Sequence, residues 1–188
     1  KIAHDIQMSI LPKVFPPFPD RKEFDIYAVI EPAREVGGDF YDFFFIDDEH
    51  LCFTIADVSG KGVPAALFMA MTKTLIKAKT LWDADPGKIL TKVNKDLNQG
   101  NDACMFVTIF IGILNTKTGE LSYANGGHNP PLIIPSENLS PTHEGSHEGF
   151  SGEIEFLPVS KGLVVGAMED YEYQTDRIIL KPQDSIFM

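Results

Sequence analysis

The stretch from Gly37 to Gly62 constrains the fold most. Phe40 to Ile46 and Leu51 to Ala56 are rich in aromatic and β-branched residues and flank a polar Asp47-Asp48-Glu49-His50 turn, the pattern of an antiparallel hairpin. Folding the chain back on that turn brings Asp39 opposite Asp57 to within about one residue of register. Opposed like charges, with Cβ atoms about 5 Å apart, destabilise an antiparallel pair. A cation removes the penalty. Hard dications such as Mg²⁺ or Mn²⁺ prefer carboxylate oxygen and water, and two carboxylates at the open end of a hairpin can bridge two such ions about 3.5 to 4 Å apart. The glycines on either side, Gly37-Gly38 and Gly60-Lys61-Gly62, let backbone come close to ions and their water. Either aspartate alone reads as a turn residue. Their opposition is what points to a metal site.

The rest of the chain supplies a setting for that hairpin. Ile2, Ile6 and Ile10 recur once per helical turn up to Pro12, which reads as the tail of a helix entering from upstream, since about three turns alone are marginal in water. A proline-rich connector follows, and Phe24 to Glu31 has strand character. Val63 to Thr80 has helical spacing, with Pro64 in the first turn and Leu67, Met71, Leu75 and Ala78 as the expected buried face. Asp85-Pro86 is an N-cap and first-turn signal for a second helix that turns Leu90, Val93 and Leu97 inward. Strands resume at Met105 to Leu114, Glu120 to Ala124, Leu132 to Ile134, Leu163 to Val165 and Arg177 to Leu180. Residues 135–152 carry almost no aliphatic side chains and read as a loop. Strands, two helices and strands again make an α+β order.

Composition excludes several functions. A formal charge of −11 repels phosphate backbones and anionic lipid, so nucleic acid and membrane surfaces are not expected partners. No apolar run reaches the roughly 20 residues that cross a bilayer, and no signal peptide is evident at the start. The expected location is the cytoplasm. Cys52 and Cys104 lie in apolar runs and are expected in the core as free thiols.

Several segments together resemble a known family. Ile6-Gln-Met-Ser-Ile-Leu-Pro12, Pro32-Ala-Arg-Glu-Val-Gly-Gly-Asp-Phe-Tyr-Asp42, Ile55-Ala-Asp-Val-Ser-Gly-Lys-Gly-Val-Pro-Ala-Ala66, Met105-Phe-Val-Thr108 and Tyr123-Ala-Asn-Gly-Gly-His-Asn-Pro-Pro131 are similar to the bacterial SpoIIE/RsbU branch of the PPM, phosphatase 2C-like, serine/threonine phosphatases. The resemblance implies an α-β-β-α sandwich of two mainly antiparallel sheets flanked by helices. It implies hydrolysis of phosphoserine or phosphothreonine on a protein of the anti-sigma-factor antagonist type, using two Mn²⁺ or Mg²⁺ ions. Asp39 would bridge both ions, Asp57 would ligate one, and the Val58 carbonyl would be a backbone ligand. Arg34, five residues before Asp39, matches the offset of a phosphate-binding arginine in eukaryotic relatives. The domain expected is residues 13–188, with residues 1–12 as the end of a linker or switch helix from an upstream sensor or receiver domain, and a homodimer through that helix fits the same picture. The family continues past Asp184-Ser-Ile-Phe-Met188 into a Thr/Ser-Asp-Gly motif and a later aspartate, both metal ligands. The sequence stops before either, so a C-terminally truncated domain with weak or absent activity is expected.

Other polar residues have plainer readings. Asp42, Asp47 and Asp48 read as strand-edge or turn residues, Lys61 as a surface charge, and His128 as a turn histidine held by loop backbone. His143 and His147 are expected in solvent, because the glycines and proline around them disfavour a helix that would align them. Two alternatives compete with a phosphatase. Gly37-Gly38-Asp39-Phe40 has a diguanylate cyclase flavour but lacks the second acidic residue. A catalytically inactive phosphoprotein-binding or partner-switching module is the non-enzymatic reading.

Overall fold

The computed structural model describes residues 2–31, 36–136 and 154–188. The hairpin is its centre. β1 (Phe40–Phe45) and β2 (His50–Val58) pair antiparallel with Phe40 opposite Ala56 and Phe45 opposite Leu51. Asp47 builds the turn, its Oδ1 accepting from the backbone N–H groups of Glu49 and His50. β3 (Val107–Asn115) and β4 (Glu120–Gly126) form the next hairpin, and β7 (Asp176–Ile179) adds to β4, giving a five-stranded antiparallel sheet in the order β1-β2-β3-β4-β7. A smaller sheet, order β6-β5-β8, comprises β5 (Leu132–Ile134), β6 (Glu155–Phe156) and β8 (Ser185–Phe187).

Period-two alternation gives the large sheet two buried faces. On one, Phe40, Cys52, Ala56, Ile109 and Ile111 meet α2 (Val63–Thr80) and α3 (Pro86–Asn98). On the other, Phe43, Phe53, Phe110 and Tyr123 form an aromatic layer against which Ile133 and Ile186 of the small sheet pack. The fold is α+β. Its described residues form three layers, helix, sheet and sheet, of the four-layer sandwich expected.

The helices start where their caps say. Asp85 accepts from the Lys88 N–H and α3 buries Leu90, Val93 and Leu97. α2 has the expected span but the opposite face inward: it buries Ala65, Phe68, Met69, Thr72, Lys73 and Ile76, while Leu67 and Met71 are exposed. The inward face contains a lysine and two threonines, so apolar counting selects the wrong side. α1 (Ile2–Ile10) shows a related reversal: Gln7 and the following Leu11 are buried, and Ile2, Ile6 and Ile10 face away from the domain.

Four smaller expectations also fail. Residues 24–31 alternate between half-buried and exposed but form no ladder; Ile26 and Ala28 instead cap the aromatic layer. Residues 163–165 contribute only a single bridge, Val165 to Val107. Cys104 is exposed, unlike buried Cys52, because it occupies a left-handed turn with φ 50° before β3. Asp42 is not at a solvated edge but buried.

Candidate functional site

One step beyond Phe40 and Ala56, the hairpin sets Asp39 against Asp57, and Asp57 is itself paired with Thr108 on β3. Phe40, Ala56 and Ile109 point to the helix side. Their neighbours Asp39, Asp57 and Thr108 therefore share the opposite face, as a row across the end of three strands. His128 continues the row. Its Nδ1 lies 2.8 Å from Thr108 Oγ1, and its backbone is held on both sides by Asn125, whose Oδ1 accepts from the His128 N–H at 2.7 Å and whose Nδ2 donates to the His128 carbonyl at 2.9 Å. The turn-histidine reading thus describes the backbone, while the ring joins the carboxylate row.

The electrostatics are those of an unbalanced pair. Partial burial, then the facing Asp57 carboxyl, push the Asp39 carboxyl up to about 6. Burial lowers His128 below the usual imidazole range, against a smaller upward pull from Asp57, so its ring is kept neutral. Lys61 is exposed, as expected of a surface charge. Among the described residues no group of three or more His, Cys, Asp and Glu side chains converges as a metal cage. What they offer a cation is an open carboxylate pair.

Backbone frames that pair closely. Gly38 is buried, and a Cβ there would lie 2.7 Å from Val58 Cβ and 2.9 Å from the Val58 carbonyl oxygen, so only glycine lets the strand ends meet. The Val58 carbonyl is thereby brought to the same end as both aspartates. Gly37 is fastened to α1: Gln7 Nε2 donates to the Gly37 carbonyl at 2.6 Å and Gln7 Oε1 accepts from its N–H at 3.1 Å. After β2, the Ser59 N–H bonds the Phe106 carbonyl and Ser59 Oγ accepts from the Phe106 N–H. Asp39, Asp57 and Val58 are therefore brought together, whereas Arg34, His143 and His147 lie outside the described residues.

The model of the Stage II sporulation protein E (SpoIIE) family matches residues 47–188. The chain belongs to the SpoIIE family. It is 33% identical over 175 residues to the phosphoserine phosphatase RsbU of Bacillus subtilis, covering 93% of this chain and 47% of RsbU. The chain spans less than half the length of the curated relatives it matches. Among solved structures it is similar to the SiaA-PP2C domain of Pseudomonas aeruginosa, with TM-score 0.73 and 20% identity over 98% of this chain and 67% of that one. It is also similar to RsbX in complex with magnesium, with TM-score 0.61 and 19% identity over 85% of this chain and 69% of that one. The SpoIIE-family fold is thus the PP2C-like phosphatase fold, and no helix among the described residues is long and apolar enough to cross a membrane.

One feature of the site and one of the core beside it were hidden in the sequence. Thr108 stands in an apolar run and becomes visible only through its pairing with Asp57. The second is an ion pair from Lys73 of α2 to buried Asp42. The only hint of it was a lysine interrupting an otherwise small and apolar helix face.

Proposed function

We propose that this SpoIIE-family domain hydrolyses phosphoserine or phosphothreonine on a regulatory protein of the anti-sigma-factor antagonist type, in the cytoplasm, with two Mn²⁺ or Mg²⁺ ions at its Asp39/Asp57 end. The observation that carries this reading is the register that opposes two carboxylates, with no ion pair to either among the described residues. Their donor chemistry fits hard dications, which take carboxylate and carbonyl oxygen. Asp39 would reach both ions, Asp57 one, and the Val58 carbonyl would add a backbone oxygen, while Arg34 would hold the substrate phosphate. Bound there, the ions supply Lewis-acid activation of water and offset charge on a phosphoryl group. The chain's own part is to orient. Gly38 keeps the strand ends closed on each other, and neutral His128 holds the Thr108 hydroxyl without adding charge.

The N-terminal helix is assigned to control. Gln7 grips Gly37, two residues before Asp39, while Ile2, Ile6 and Ile10 present an exposed apolar stripe to an upstream sensor or receiver domain or to a second copy. Ile6→Ala with Ile10→Ala in the intact protein is expected to change basal activity, its response to signal, or oligomeric state by light scattering, and wild-type values of all three would make the helix an inert linker. The catalytic reading is tested by Mn²⁺-dependent hydrolysis of p-nitrophenyl phosphate by the intact protein. Arg34→Ala should chiefly raise KM, since uniform phosphate binding does not set kcat. The open carboxylate pair also suits a partner-switching module that binds phosphoprotein without turnover. Calorimetric Mn²⁺ binding with no hydrolysis would favour that second reading.

A further inference from the structure

His128 has two neighbourhoods. One side of the residue belongs to the carboxylate row through Thr108. The other lines a groove of about 570 Å³ whose remaining walls include Asn125, Gly127, Ser160, Lys161 and Tyr171. That volume is in the range of binding clefts for small ligands or a short stretch of chain. It opens directly beside the place where a phosphorylated side chain would react.

The wall at residues 159–163 is built and not a loose loop. Ser160 is tied to Asp176 twice, its N–H to Oδ2 at 2.6 Å and its hydroxyl to Oδ1 at 2.8 Å. The Lys161 carbonyl accepts from the Tyr171 hydroxyl at 3.0 Å. Gly162 lies so close to β4 that a Cβ would fall 1.9 Å from the Asn125 carbonyl oxygen, so no other residue fits there. This pinned backbone presents one cation. The Lys161 side chain is exposed and makes no ion pair among the described residues.

A lone lysine matters in this molecule. The chain carries a formal charge of −11, and the row beside the groove holds two carboxylates, so an anionic polypeptide meets repulsion from that row. Lys161 reverses the sign locally. His128 stands between the lysine's groove and the carboxylate row, so the anion that Lys161 meets belongs to a residue next to the phosphorylated one. Gly127 and Gly162 leave stretches of the lining without side chains, where a substrate backbone can approach.

We infer that the groove between His128 and the 159–163 wall binds the substrate chain flanking the phosphoserine or phosphothreonine, and that Lys161 selects an acidic side chain in that flank. This rests on the phosphatase reading but names a substrate feature that reading leaves open.

The test uses the intact protein and two fluorescein-labelled phosphoserine peptides, one with Glu on both sides of the phosphoserine and one with Gln at the same places. Binding is read by fluorescence anisotropy in EDTA, and kcat/KM is read in Mn²⁺. One well-placed charge pair predicts about tenfold preference for the acidic peptide, the equivalent of about 1.4 kcal/mol. Lys161→Arg should keep that preference, Lys161→Met should abolish it and Lys161→Glu should invert it. A wild type without preference, or a Lys161→Met variant that keeps it, overturns the inference. Equal weakening of both peptides in Lys161→Met would mean that the lysine serves the phosphate itself, and that also overturns it. Failure of the wild type to hydrolyse p-nitrophenyl phosphate in Mn²⁺ would sink the phosphatase reading instead, while the anisotropy ratio would still decide the groove.

Discussion

Asp39 and Asp42 leave the same strand end three residues apart, on opposite faces of the sheet, and their charges are met in opposite ways. Asp42 is 5% exposed, under α2, and is paired with Lys73 from that helix. Asp39 reaches solvent at the strand end and faces another carboxylate. Inside the helix–sheet layer no mobile ion can reach, so the protein must supply the countercharge itself. At the open end no ion pair among the described residues balances Asp39 or Asp57, and this is where a cation from solution is proposed to sit. The contrast separates a buried, internally paired aspartate from an exposed one that faces a like charge, although both stand in the same short Gly-Gly-Asp-Phe-Tyr-Asp segment.

The largest expected effect breaks the buried half of that comparison. Lys73→Met leaves Asp42 buried without a countercharge, keeping only the Phe43 N–H as a partner among the described residues. It is expected to cost about 3 to 5 kcal/mol, a fall in Tm of roughly 6 to 20 °C for a domain of this size. The double replacement Asp42→Leu with Lys73→Met should recover most of that loss, because removing both charges removes the desolvation cost as well. Thermal melts of the three proteins check this, and a double variant no more stable than Lys73→Met would show that the pair does more than balance charge.

The open half should respond to metal instead. Saturating Mn²⁺, at about 100 times its Kd, is expected to stabilise the wild type by about 2.7 kcal/mol, and Asp39→Asn should remove that gain. In the same variant Mn²⁺-dependent turnover should fall by at least the roughly 10- to 100-fold seen when even the supporting partners of metal ligands are lost. Unchanged turnover in Asp39→Asn would remove Asp39 from the site. Lys73→Met, by contrast, should still gain stability from Mn²⁺.

A smaller effect follows from acid–base linkage. The folded value of Asp39, about 6, lies above its ordinary carboxylate value, so the folded state holds the Asp39 proton more tightly than the unfolded chain does. Its contribution is fully present below the unfolded value and is lost as pH rises through about 6. In EDTA, urea titrations from pH 4 to 7.5 should therefore show the wild type losing stability relative to Asp39→Asn. A flat difference across that window would mean that neither burial nor the facing Asp57 raises the Asp39 carboxyl. The least expected change is in Thr108→Val, which removes one partly buried hydrogen bond to His128 and should cost about 1 kcal/mol or less in the same titration.

Much of this comparison was legible before any coordinates. The hairpin register, the α3 cap at Asp85 and the α2 boundaries come from turn chemistry and proline placement, which act over a few residues. The error at α2 has a definite cause. Its inward face carries Lys73, whose burial makes sense only with Asp42 beneath it, and an apolar count therefore preferred the Leu67 and Met71 side. The strand expected at residues 24–31 failed for a similar reason: the alternation is real, but strand identity requires a ladder partner, and the segment instead lays Ile26 and Ala28 over Phe43 and its neighbours.

The sequence by itself determined to within a residue that two aspartates oppose each other, because side-chain alternation and a short polar turn leave little freedom in a hairpin, and the structure fixed the register at Phe45 opposite Leu51. The sequence also determined the family, through several separate motifs in one order. The tertiary structure decided which charges are balanced, which helix faces are hidden, and that His128 joins a row begun on β1. Those outcomes depend on segments far apart in the chain, such as Asp42 with Lys73 and Gly162 against Asn125. Their contact energies exist only after the layers have packed, so no local pattern encodes them.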